Sequence, residues 1–288
     1  MNRGNVTQRT QAKNRIHAIL HRNLIAPEMT DLFGKAGRRF LQQVELPGEE
    51  RRLLDADLRT LDFFGKEIEI AEVCLAKGAD QDPDMRRMLT VPGLALTSAV
   101  GLKAAIGDIR RFKAPSKLVS YFGLNPSVYQ SGLKAYNGHI SRRGRSHART
   151  ICVEVAHQLV KAPGPFHAFF ERLRRRKPYN VALTAVARKL VVLVWHMLTR
   201  GEDYRYTPPA LTRRKLAQVH KLATGEGLAR ATATKPAPKP ADDKRIGLQA
   251  EREYQGFIHE RFGESGPPLP GHPEPSKTKK RRSRQKSA

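Results

Sequence analysis

The longest periodic segment of the sequence runs from residue 49 to residue 77 and constrains this part of the chain to a helix. Its apolar residues follow one another at helical spacing, which places them along one stripe: Leu54, Leu58, Leu61, Ile68 and Leu75. Gly65 and Glu72 interrupt the stripe, so a coiled coil here would be imperfect. Two interpretations stay open: an amphipathic helix on a globular core, or a helix through which the chain forms a homo-oligomer.

Helical periodicity continues on both sides of this segment and predicts a mainly α fold. The other predicted helices cover residues 7–25, 29–44, 85–90, 99–106, 146–160, 166–176 and 180–199. One exception is the Asn137-Gly138 turn signal between Tyr136 and Ile140, which predicts a small β-hairpin.

The charge of the chain restricts its partners. It carries 53 Lys and Arg against 27 Asp and Glu, a net charge of +26, which attracts polyanions such as nucleic acid. Residues 109–153 hold nine Arg or Lys, no acid and five aromatics, a mixture that can neutralise phosphates and stack on bases. A basic protein without any chemistry is the alternative.

The location of the protein is predicted from two further features. The longest apolar run, residues 190–198, is too short to span a bilayer, so no membrane segment is expected. The two isolated cysteines fit a reducing compartment, which predicts a cytoplasmic protein. Their spacing does not suit a structural zinc site.

The composition changes after Tyr206. Residues 207–288 are rich in Pro, Lys and Arg, and we expect a mostly disordered basic tail with one short helix at 248–262. This tail contains a stiff proline-rich linker at 235–240 and a basic cluster at 277–286. The predicted organisation is a helical linker or coiled-coil region (1–84), a helical domain (85–206) and the tail (207–288).

Pro92 and Gly93 stand between two predicted helices and resemble the turn of a helix-hairpin-helix. A glycine lets a phosphate approach the backbone, and the amides at the following helix N-terminus favour an anion. The alternative is a turn between two packed helices, with no ligand.

Several spaced motifs between Met85 and Tyr206 occur in an order that resembles one family. They are residues 89–93 (LTVPG), 107–112 (GDIRRF), 121–126 (YFGLNP), 130–132 (QSG), 138–144 (GHISRRG) and 147–149 (HAR). This region looks like the C-terminal domain of the DEDD-type insertion-sequence transposases, the IS-one-ten class of bacteria.

The resemblance implies a mechanism. Members of the family combine a RuvC-like domain, with four acidic ligands for magnesium, and a C-terminal domain whose serine attacks DNA, guided by a non-coding RNA. The matching serine is Ser131, with Ser141 as the alternative. The RuvC-like domain is expected to be missing here, so this chain itself would hold no metal or other cofactor. Asp55, Asp57 and nearby acids are interpreted as a solvated helix face.

Residues around these serines are candidates for nucleic-acid binding because arginine suits phosphate. The set is Pro92, Gly93, Arg110, Arg111, Lys134, Arg142, Arg143, Arg145 and Arg149, and His139 and His147 are candidate proton shuttles. The last four arginines would meet Ser131 if the hairpin folds back. The predicted function is DNA transposition by a serine-using transposase, or a truncated inactive copy of one. The alternatives are a non-catalytic DNA- or RNA-binding module and an oligomeric scaffold.

Overall fold

A computed structural model of the chain describes residues 2–131, 134–225 and 239–262. The described residues are mainly helical with one small hairpin, as predicted. The helices are α1 (Asn2–Arg22), α2 (Lys35–Gln43), α3 (Gly48–Asp80), α4 (Pro83–Leu89), α5 (Leu96–Ile106), α6 (Pro115–Tyr121), α7 (Ser146–Leu159), α8 (Pro165–Arg174), α9 (Tyr179–Arg200), α10 (Pro209–Thr224) and α11 (Pro240–Phe262). The strands are β1 (Pro126–Ser131) and β2 (Lys134–Ile140), and a short 3-10 helix covers Ile109–Arg111.

The chain divides into two compact units, residues 1–78 with 220–226 and residues 79–219 with 227–288. In the first unit, α1 and α3 run antiparallel, because Arg15 pairs with Asp57 and Arg22 pairs with Glu50. The apolar stripe of α3 faces this core, as expected for an amphipathic helix. The core residues are Ala12, Ile16, Ile19, Leu20, Leu32, Leu41, Leu54 and Leu61.

Two predictions in the first unit were wrong. Asp57 does not lie on a solvated face: only 12% of its side chain is exposed, and the Arg15 guanidinium lies 2.6 Å from its carboxylate. The helix expected over residues 29–44 covers only Lys35–Gln43. Before it, the Asp31 carboxylate accepts a hydrogen bond from the Phe33 amide, a local bond that competes with the helix.

Helix α9 is the centre of the second unit. It packs against α4, α6, α7, α8 and the 3-10 helix, and its buried side chains recur at helical spacing from Ala182 to Leu198. Gly201, with φ +70°, ends it in the left-handed conformation that glycine favours. By length and composition alone α9 could cross a membrane. Its packing is that of a core helix.

The hairpin is present, but Asn137-Gly138 is not its turn. Both residues lie inside β2. The register of the strand pairing shifts opposite them, between Pro126 and Val128 of β1, and Ser131 pairs with Lys134 at the far end of the hairpin. A β-bulge inserts an extra residue into one strand and is often occupied by glycine. A Cβ at Gly138 would lie 2.8 Å from Ser127 Oγ, so glycine suits this position for a packing reason.

The region after Tyr206 is more ordered than predicted. Helix α10 was not expected, and α11 begins at Pro240 rather than near Leu248. The Asp243 carboxylate accepts hydrogen bonds from the amides of Ala210 and Leu211 at the start of α10, which caps that helix. The predicted linker at 235–240 lies mostly outside the described residues, and the basic cluster at 277–286 lies entirely outside them.

Candidate nucleic-acid interface

The turn between α4 and α5 packs against the neighbouring helix α7. Gly93 has φ +79°, and a Cβ there would lie 3.0 Å from the Cβ of Gln158 and 3.2 Å from the carbonyl oxygen of Val155. Pro92 and Gly93 are both half-buried. The close approach that requires glycine at this position is therefore made by α7, which explains the residue without a ligand.

A lysine from α10 closes the same turn. The Lys215 amine donates to the carbonyl oxygens of Leu89 at 2.9 Å and Val91 at 2.7 Å, and the Tyr204 amide donates to the Thr90 hydroxyl. Burial, with a smaller contribution from the nearby Arg214, lowers the pKa of Lys215 to about 8. Lys215 was not predicted as a structural or functional residue, because it lies in the segment that was expected to be the tail. The unbroken stretch from Pro209 to Thr224 was the available signal.

The base of the hairpin is held by close backbone contacts. Gly123 has φ +68°, and a Cβ there would lie 2.5 Å from the carbonyl oxygen of Arg143. Arg142 has φ +53°, which is uncommon for a residue other than glycine. Arg149 Nη1 donates to the carbonyl oxygens of Phe122 at 3.2 Å and Arg142 at 3.1 Å. Arg149 is thus turned inward and holds α6, α7 and the end of the hairpin together.

Two exposed arginines and an aromatic pair form a stack beside the hairpin base, in which Phe112 is buried and Tyr121 is half-buried. The Arg111 guanidinium lies 4.6 Å from the Phe112 ring centroid and 4.7 Å from that of Tyr121. The Arg145 Nε donates to the Tyr121 hydroxyl at 2.7 Å. Hydrogen bonding to Arg111 and Arg145 lowers the pKa of the Tyr121 phenol below its ordinary value. We call Arg111, Phe112, Tyr121 and Arg145 the arginine–aromatic stack.

The remaining predicted binding residues differ in whether their charged groups are exposed or bound to a carboxylate. Arg142 and Arg143 are exposed next to the stack. Arg110 is bound to Asp108 by hydrogen bonds from Nε at 3.1 Å and Nη2 at 2.9 Å, which partly neutralises it. Lys134 begins β2, and its side chain lies outside the described part of the structure.

The two candidate serines lie at opposite ends of the hairpin. Ser131 ends β1 and pairs with Lys134 at the tip. Because a strand rises about 3.4 Å per residue, Ser131 lies roughly 17 Å from Pro126 at the base. Ser141 lies at the base, where its hydroxyl donates to Asn125 Oδ1 at 2.9 Å. The structure therefore brings Ser141 near the arginines, and within one chain it separates Ser131 from them.

The described residues contain no group of three His, Cys, Asp or Glu side chains placed to hold a metal ion. The two candidate proton shuttles also lie away from the hairpin tip. His139 is near the base end of β2, and His147 is exposed in the first turn of α7. Along the hairpin, neither is a neighbour of Ser131.

The arginine–aromatic stack, the hairpin and the turn at Gly93 all fall within residues 85–171. This segment matches the family described as Transposase IS116/IS110/IS902. Residues 85–171 are thus similar to this family of transposases, and we call them the transposase domain. The match confirms the resemblance drawn from the spaced motifs.

Three curated relatives show how much of a longer protein the chain matches. A probable family 20 transposase of Pseudomonas aeruginosa is 29% identical over 55% of this chain and 47% of its own length. The transposase for insertion sequence element IS1111A of Coxiella burnetii is 30% identical over 44% and 36%. The transposase for insertion sequence element IS1328 of Yersinia enterocolitica is 27% identical over 68% and 60%. The chain thus spans about a third to three fifths of the length of these relatives.

Proposed function

We propose that the chain acts in DNA transposition, with the transposase domain binding DNA and the Ser131 hydroxyl attacking a phosphodiester. The observation that carries this proposal is the coincidence of the family match with the acid-free basic region at 109–153. That region folds into one hairpin and the surface around its base.

The positions of the two serines favour Ser131 as the nucleophile. Ser141 is half-buried, and both its amide and its hydroxyl bond to Asn125, so it holds β2 to the end of α6. Ser131 ends a strand that projects from the base. A residue at a hairpin tip can enter a groove or a second active-site half, which a residue at the base cannot do.

The arginines at the base then have an anchoring role. With Ser131 roughly 17 Å away along the strand, Arg142 and Arg143 cannot reach the phosphate that this serine attacks. The two ends of the hairpin are therefore expected to contact different phosphates of a bound DNA. Backbone contacts of this kind fix register without reading sequence.

The chemical step exchanges one ester for another. Ser131 Oγ forms a bond to phosphorus, the bond from phosphorus to the leaving strand oxygen breaks, and the serine proton ends on that oxygen through a general base and acid. The product is a phosphoserine adduct that a second DNA hydroxyl can attack. In the family magnesium belongs to the acidic domain. Since the described residues offer no metal ligand group, no step is assigned to a metal held by them.

A nicked suicide substrate tests the role of Ser131. The leaving strand diffuses away after attack, so we expect a covalent protein–DNA band on a denaturing gel with the wild type and with Ser141→Ala. Ser131→Ala should give no band. The proposal fails if the wild type traps no adduct, or if Ser131→Ala still traps one.

A non-catalytic nucleic-acid-binding module is the second candidate, favoured by one observation. The arginine–aromatic stack is complete without Ser131, because Arg111 contacts Phe112 and Tyr121 and Arg145 donates to the Tyr121 hydroxyl. This function predicts salt-steep binding that is unchanged in Ser131→Ala and abolished in Arg145→Glu. Unlike the transposase proposal, it predicts no adduct under any condition.

Self-association through α3 is a further proposal. Phe63 and Ile70 are more than half exposed on this helix, and their seven-residue spacing places them close to one line. We expect Phe63→Ser with Ile70→Ser to lower the sedimentation mass relative to the wild type, while Glu69→Ser, at an exposed position about a third of a turn away, leaves it unchanged. An unaltered mass in the double variant would remove α3 as the interface. Binding of a guide RNA and a cytosolic location likewise stay proposals.

A further inference from the structure

The corner where α8 ends and α9 begins carries a second set of aromatic and basic side chains. Tyr179, the first residue of α9, keeps 41% of its surface exposed. The Phe170 and Tyr179 ring centroids lie 5.3 Å apart in a T-shaped contact, and the His157 ring stacks at 5.9 Å between centroids, with its Nδ1 3.2 Å from the Tyr179 hydroxyl. The Arg174 guanidinium lies 5.3 Å from the same ring. The ring is therefore held in one place while remaining accessible.

Arg174 begins a run of four consecutive cations, which continues with Arg175, Arg176 and Lys177. Arg174 and Arg175 are exposed, and among the described residues neither forms an ion pair with a carboxylate. Cations at a helix C-terminus are favoured by the helix dipole, so the run alone has an ordinary structural explanation.

The dipole does not explain the exposed aromatic. Val181, two residues after Tyr179, is also half exposed, so the apolar surface beside the cations extends along α9. A part-exposed aromatic ring beside exposed arginines, here Arg174 and Arg175, is an arrangement that proteins use for single-stranded nucleic acid. There a base stacks on the ring while its flanking phosphates meet the charges.

We propose that this corner is a second nucleic-acid surface, which takes an unpaired base against the His157–Tyr179–Arg174 group and an adjoining phosphate on Arg175. It rests on the proposed function only in taking nucleic acid as the partner. It uses other elements than the arginine–aromatic stack, which lies on the 3-10 helix, α6 and the segment before α7. The Tyr179 ring selects single-stranded nucleic acid, since a base inside a duplex has no free face on which the ring can stack.

The test compares binding of a single-stranded oligonucleotide and of its duplex by the full chain. Tyr179→Leu removes the π-surface but keeps an apolar side chain, and we expect it to weaken single-strand binding roughly five- to tenfold and to leave duplex binding nearly unchanged. Tyr179→Phe keeps the ring and should bind as the wild type does. Arg175→Glu should reduce the salt slope for the single strand by about 0.7 for each phosphate that the variant no longer neutralises.

Arg213→Glu, a charge reversal at an exposed site on α10, is the matched control. The proposal is overturned if Tyr179→Leu binds the single strand as the wild type does, or weakens both forms equally. It is also overturned if Arg175→Glu acts no more strongly than Arg213→Glu. The suicide-substrate assay reads Ser131 separately, so failure of this surface and failure of the strand chemistry are distinguishable.

Discussion

The guanidinium of Arg149 donates to the carbonyl oxygen of Arg142 at 3.1 Å, across the base of the hairpin. The same Nη1 also donates to Phe122 at 3.2 Å, so one side chain satisfies two carbonyls from different segments. A hydrogen bond from a charged donor contributes about 1.5–3 kcal/mol, and removing it leaves its acceptors unpaired. Arg149 was predicted to bind phosphate, and in the structure its Nη1 supports the base of the hairpin.

Arg149→Met should therefore lower the free energy of unfolding by about 1–3 kcal/mol in a denaturant titration. Arg143→Met removes a neighbouring arginine whose side chain is exposed, and it should change stability by less than about 0.5 kcal/mol. Equal stability of the two variants would contradict the supporting role of Arg149.

Two glycines with positive φ allow the cost of backbone strain to be distinguished from the cost of steric crowding by an added Cβ. Gly123 (φ +68°) and Gly107 (φ +63°) share a positive φ, which costs an L-residue about 1–2 kcal/mol or more. A Cβ at Gly123 would lie 2.5 Å from a backbone oxygen, whereas at Gly107 nothing lies within 4 Å. Gly123→Ala should thus destabilise the protein by about 1–3 kcal/mol more than Gly107→Ala, measured by thermal unfolding. Matching midpoints would mean that the hairpin base is looser than described.

Lys215 makes stability depend on pH in a defined direction. Its pKa is lowered from 10.5 to about 8 in the folded chain, chiefly by burial. Between these two values the unfolded chain keeps a proton that the folded chain has released, so stability from this residue rises with pH. Below about pH 8 both states are protonated and the full cost of burying the charge is present.

Comparison with Lys215→Met isolates this effect from other titrating groups. The unfolding free energy of the wild type minus that of Lys215→Met should increase by roughly 1–2 kcal/mol between about pH 7.5 and 9.5. Chemical denaturation at a series of pH values measures it. A constant difference across this window would show that Lys215 is not desolvated.

Asp57 and Arg15 form the best-shielded of the ion pairs described between α1 and α3. The Asp57 side chain is 12% exposed, against 25% for Glu50 in the pair with Arg22. Double-mutant cycles with alanine should give a coupling energy of about 1–3 kcal/mol for Arg15–Asp57, and no more than about 1 kcal/mol for the more exposed pair. A coupling for Arg15–Asp57 as small as that of the control pair would show that the carboxylate is solvated after all.

Periodicity predicted the helices whose apolar residues define a buried face. The stripe of α3 and the apolar length of α9, ended by Gly201, were predicted correctly because a helix repeats its contacts every three or four residues. The hairpin was also predicted, although from the wrong residues. Asn137-Gly138 is a turn signal in isolation, and only the pairing of β1 with β2 turns it into a bulge.

Helix α11 begins eight residues before the helix that was predicted at 248–262, and its contacts explain the difference. It has few apolar residues and docks through polar contacts, with Asp243 capping α10 and Glu251 accepting from the Gly164 amide. Gly247 lets it approach the carbonyl oxygen of Pro163. Such contacts join residues far apart in the chain and leave no local pattern in the sequence.

The sequence by itself determined the helical class, the strong positive charge and the ordered motifs of the transposase domain, because these follow from local spacing and composition. The tertiary structure alone decided which basic groups are available. It turns Arg149 inward, buries Lys215 beneath the α4–α5 turn and leaves Arg142 and Arg143 in solvent. The physical reason is that the role of a charge depends on which backbone carbonyls and carboxylates the fold brings within hydrogen-bond reach, and those partners come from distant segments.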